Sequence, residues 1–192
     1  MDGYGYTATA GTGVVRPRPV LPRMTRPETA VSPDTAIAPL AGDSIAAALQ
    51  GGMLFTDLAA LLSGEEITFH ADGASVFSLT AAERGPLRAK PGVQGIRRRG
   101  TLRTASGRDV ARVITVYLPY RIRDEAALRA LHMTGEPLGQ VLAPLGATRQ
   151  SLGAMVIATG DIAVRARGLL LINEVPVAVA EEQVLRSFAI AP

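Results

Sequence analysis

The last third of the chain constrains its architecture most. Three runs of strand-forming residues, Leu152 to Thr159, Ile162 to Ile172 and Val175 to Leu185, are separated only by Gly160-Asp161 and Asn173-Glu174. Connections of two residues join antiparallel neighbours, so the three runs read as a meander. In the final run, Val177 and Val179 alternate with Ala178 and Ala180. Alternation places Val177, Val179 and Glu181 on one face, and Pro176, Ala178, Ala180 and Glu182 on the other. If the valine face is the core face, Glu181 points a carboxylate into an apolar interior, where it must be protonated, paired or used. If the strand ends near Ala180, both glutamates are solvated.

Upstream, residues 1–38 are rich in Gly, Thr and Pro without sustained periodicity, which predicts a flexible arm. Asp43-Ser44 opens a short helix through Leu49, and Thr56 to Leu62 forms a second, stopped by Gly64. Glu65 to His70 and Ala74 to Leu79 read as a hairpin turning at Asp72-Gly73, and Pro86 to Pro91 as a loop. A second hairpin joins Gly95 to Thr104 with Val110 to Leu118. Asp124 to Met133 is amphipathic and helical, and a turn at Gly135 to Gly139 leads into a short helix through Leu142. Helices and hairpins in this order predict an α+β domain over residues 39–192, with one antiparallel sheet of about six strands.

Composition narrows the chemistry. The 192 residues contain no Cys, which excludes a thiolate nucleophile and a disulfide framework and fits a cytoplasmic protein. No apolar run reaches the roughly 20 residues of a membrane helix. Nineteen of the twenty basic residues are Arg, with Lys90 the exception, and the net charge is +3. Guanidinium forks suit carboxylates and phosphates. Four Phe, four Tyr and no Trp leave little for stacking bases, so a small anion is the expected partner and nucleic acid is not. His70 and His132 are the only histidines and lack metal-ligand spacing, so no metal is expected. The serines lack a nucleophile-elbow pattern. Acid–base or binding chemistry built from Arg and Glu remains, without a cofactor.

The arginines fall in two groups. Arg97, Arg99 and Arg103 share one face of a strand with Thr101, whereas Arg98, Gly100 and Leu102 share the other. Arg165 and Arg167 repeat that spacing later. Either set could line a cavity, or stud a solvated sheet face.

From about residue 95 onward the chain resembles the chorismate lyase family. The resemblance rests on a strand carrying Arg99, the Ala105-Ser106-Gly107 turn, Leu118-Pro119, Glu136-Pro137-Leu138-Gly139, Ala147-Thr148-Arg149, and the closing strand to Glu181. It implies an antiparallel sheet with a ligand enclosed beneath helical flaps, and cofactor-free conversion of chorismate to 4-hydroxybenzoate and pyruvate. By the same resemblance, Arg99 (or Arg97, two residues away on the same face) holds the substrate carboxylate and Glu181 is the essential acid. Leu138 and Phe55 would supply backbone N–H donors, and Arg165 and Arg167 could join the binding cavity. Two other readings stand beside the lyase: a repurposed enzyme acting on another anionic cyclic substrate, and a non-catalytic small-molecule-binding domain of the same fold. Either a monomer or a homodimer would suit all three.

Overall fold

The structure, a computed structural model, describes residues 42–133 and 135–189; the expected arm over residues 1–38 lies outside them. Helices α1 (Gly42–Gln50) and α2 (Phe55–Ser63) precede strand β1 (Ile67–Ser78), helix α3 (Ala81–Leu87), and the strand pair β2 (Gln94–Thr104) and β3 (Asp109–Tyr117). Helices α4 (Glu125–Met133) and α5 (Leu138–Leu142) follow. Strands β4 (Thr148–Val156), β5 (Ile162–Ile172) and β6 (Val175–Leu185) then lead into the short α6 (Arg186–Ala189). The six strands form one antiparallel sheet in the order β1-β2-β3-β6-β5-β4. The expected fold class is therefore the observed one.

Two local expectations are corrected. Asp72-Gly73 does not turn the chain: β1 runs through it as one strand paired with β2 from Ile67↔Thr104 to Ser78↔Gln94, with a bulge between Ala71 and Gly73. A tight Asp-Gly turn needs positive φ, and neither residue adopts it. The eleven residues of β2 offer a full-length partner, so extension wins over a local turn. The second correction concerns Pro86, which sits inside α3 rather than in a loop. A reciprocal capping box between Thr80 and Glu83 starts this helix and outweighs the amide missing at Pro86.

The sheet has two unlike faces. The inner face is covered by two apolar clusters. One joins Ile45, Leu49, Phe55 and Leu58 of α1 and α2 to Phe69, Leu102, Val113 and Val184. The other joins Leu131, Leu138 and Leu142 to Tyr117, Leu170, Ala178 and Ala180. Among the described residues the outer face is covered at one end, where Leu79 and Leu87 at the edges of α3 pack on Val116, Leu169 and Val179. Close approach is built into the inner layer at Gly100, where a Cβ would lie 2.2 Å from the His70 carbonyl oxygen and 2.7 Å from the Phe69 ring.

Candidate functional site

A cavity of about 40 Å³ lies between the two inner clusters. Its floor is the sheet, where Arg98, Thr115, Ala180 and Gly168 occupy one row across β2, β3, β6 and β5. Val113 and Glu182 pair in the next row. Its roof is made by Leu54, Phe55 and Thr56 at the start of α2, and by Pro137, Leu138 and Gly139 at the start of α5. Apolar side chains provide most of the wall, so the few polar groups decide what it can hold.

Two buried guanidiniums flank this space. Arg98 is 3% exposed, donates from Nη2 to the Glu136 carbonyl at 3.2 Å, and lies over the Phe69 ring at 4.5 Å. Burial draws its pKa below the ordinary value, but an arginine remains charged at any physiological pH. Arg149 reaches in from β4. Its Nη2 pairs with Glu182 at 3.2 Å and its Nη1 donates to the Leu49 carbonyl. The guanidinium crosses β5 at Gly168, where a Cβ would lie 2.3 Å from Nε, so only glycine leaves its path open. Three strand spacings, about 14 Å, separate the Cα atoms of Arg98 and Gly168.

Glu182 is 4% exposed. Desolvation pushes its carboxyl up to about 7, against the opposing charge and hydrogen bond of Arg149. Near neutral pH it therefore exchanges between a paired carboxylate and a neutral acid able to donate a hydrogen bond. Thr56 Oγ1, Arg149 Nε and the Tyr117 hydroxyl are buried without a hydrogen-bond partner among the described residues. The first N–H groups of α2 have no acceptor within the helix, and Leu54 offers no side-chain cap. The chamber is thus apolar, with buried donors from Arg98, Arg149 and Thr56 on its wall and one ionisable acid, Glu182, paired with Arg149.

The residues singled out in the sequence separate into two sets. Phe55 and Leu138 line the cavity. Arg97, Arg99, Arg165, Arg167 and Glu181 all belong to the outer face, one residue out of phase with the cavity face. Arg99 is exposed, Arg97 is held by Glu83 at 2.7 Å, and Arg165, Arg167 and Glu181 line a separate groove. The expected meeting of Arg99 and Glu181 in the ligand cavity is corrected: Arg98 and Glu182 stand there instead. A signal for Arg98 was present, because Ile96, Gly100 and Leu102 mark its face as the apolar one. The valines of β6 misled because α3 buries the outer face at that end. Arg149 was noted within Ala147-Thr148-Arg149, but nothing local assigns it a contact 33 residues away.

No protein-family model matches the chain, and no curated protein matches it. Solved structures do. The effector domain of PhnF from Mycobacterium smegmatis aligns over 71% of this chain and 90% of its own, with TM-score 0.52 and 13% identity. The longer PhnF structure aligns over 70% of this chain and 64% of its own, with TM-score 0.50 and 12% identity. A GntR-family transcriptional regulator from Enterococcus faecalis aligns over 62% and 94%, with TM-score 0.45 and 12% identity. Among the described residues no helix is long and apolar enough to cross a membrane. The expected absence of a nucleic-acid partner gains no support from these comparisons. The lyase assignment, with its chorismate substrate and its 4-hydroxybenzoate and pyruvate products, is corrected: the structure matched at TM-score 0.52 is an effector domain and not a lyase, and Arg99 and Glu181 lie outside the inner cavity. What the chain shares with these proteins is the chorismate lyase-like fold, a six-stranded antiparallel sheet covered by helices.

Proposed function

We propose that this chain is a non-catalytic domain that binds a small anionic ligand on the inner face of its sheet. The observation that carries the reading is the pair of buried guanidiniums, Arg98 and Arg149, flanking an apolar chamber. Burying a cation is costly, and a ligand carboxylate or phosphate would repay that cost by charge-assisted hydrogen bonds. Thr56 Oγ1 and the N–H groups opening α2 add donors for the same anion. Glu182, held by Arg149, would meet a hydroxyl or amine of the ligand on the Arg149 side of the chamber. The neighbours' description as effector domain and transcriptional regulator supports a sensing role over a chemical one.

A chamber of about 40 Å³ has room for little more than a water or two, so ligand entry requires the α2 and α5 roof to move outward. The test is a thermal-shift and calorimetric panel of small carboxylates and phosphate monoesters, including 4-hydroxybenzoate and chorismate. At least one compound should bind saturably to the wild type, and chorismate should be recovered unchanged. A panel in which nothing binds, or in which chorismate is consumed, would reject the proposal.

A further inference from the structure

The outer face holds a second groove, of about 360 Å³, lined by Arg165, Arg167 and Glu181 and bordered by Leu152 and Met155. Its base is open because Gly153, opposite Arg167, carries no side chain. Three arginines of this face are already matched, Arg97 with Glu83, Arg103 with Asp109, and Arg112 with Asp161, while Arg99 is exposed on β2. Those in the groove differ. Among the described residues Arg165 makes no ion pair or side-chain hydrogen bond, and Arg167 donates only to the Ala82 carbonyl at 3.3 Å. Glu181 pairs in register with Arg167, yet no ion pair joins them. Two arginines whose Cα atoms lie about 7 Å apart along one strand, and a carboxylate one strand away, therefore line a common space without neutralising one another.

We infer that this outer groove is a second ligand site, separate from the inner cavity, for a small hydroxy acid or amino acid. Arg165 and Arg167 take the acid group as planar donors. Glu181 accepts from the hydroxyl or ammonium beside it. Leu152 and Met155, 38% and 60% exposed, cover the hydrocarbon part. Glu181 disfavours a plain polyanion, because a ligand without a hydrogen-bond donor leaves its carboxylate facing a like charge.

Citrate and tricarballylate test this, since they differ only in one hydroxyl group. Citrate is expected to bind saturably to the wild-type chain and to shift the amide resonances of Gly153, Ala166 and Gln183. Arg165→Gln with Arg167→Gln should weaken it roughly tenfold. Tricarballylate should bind several-fold more weakly than citrate, and Glu181→Gln should erase that preference while circular dichroism stays native. Arg98→Met should leave citrate binding unchanged, which separates this site from the inner one. The inference is overturned if citrate fails to saturate by about 20 mM. It is equally overturned if the double substitution has no effect, if the two acids bind the wild type alike, or if Arg98→Met abolishes binding.

Discussion

Arg149→Met is expected to destabilise the domain by about 3–5 kcal/mol at pH 8, because it strands Glu182 as a buried carboxylate without its cation. It also leaves the Leu49 carbonyl without its guanidinium donor. The cost should shrink by roughly half at pH 5, where Glu182 is neutral and needs no counter-charge. The wild type carries a related dependence. A carboxyl raised from 4.5 to about 7 on folding binds its proton more tightly in the native state. The stability this contributes is complete below about 4.5 and is lost as pH rises through 7, a change on the order of 3 kcal/mol. Urea denaturation of both proteins at pH 5 and pH 8 reads both effects. A cost for Arg149→Met that is independent of pH would show that the pair does not govern Glu182.

Arg98→Met is expected to act on binding far more than on folding. Methionine keeps much of the side-chain volume against Phe69 but removes the charge. Losing a charge-assisted bond to a ligand acid group costs about 2–3 kcal/mol, or roughly 30- to 150-fold in affinity. The loss of the bond to the Glu136 carbonyl and of the cation–ring contact should lower stability by only about 1–2 kcal/mol. Calorimetric titration of the tightest-binding panel compound, set beside a urea denaturation curve, separates the two. Equal affinity in the variant and the wild type would remove Arg98 from the site.

The architecture could be read from the chain because alternation and short turns are local signals. The β4 to β6 meander and the β2–β3 hairpin both follow from residues within a few positions of each turn. The site was harder, because a strand distinguishes its faces by a single residue of phase. In Arg97-Arg98-Arg99 every position is an arginine, so composition could not choose, and only Ile96 and Leu102 show which one turns inward. In Glu181-Glu182 the same ambiguity recurs, and burial of both faces of β6 removed the usual contrast. Alternation carries the slip through together: once Arg99 is placed outside, so are Arg97 and Arg103. Phe55 and Leu138, placed at the ligand by the family resemblance and not by strand phase, line the inner cavity. The Arg149–Glu182 pair could not be read locally, since it joins β4 to β6 across the whole width of β5.

The decisive measurement is an amide chemical-shift titration of the wild-type domain with the tightest-binding panel compound. The account predicts perturbations centred on Thr56, Thr115, Gly139 and Ala180, around the space between Arg98 and Arg149. Perturbations confined to the outer face around Gly153 and Gln183, with the inner residues silent, would contradict it.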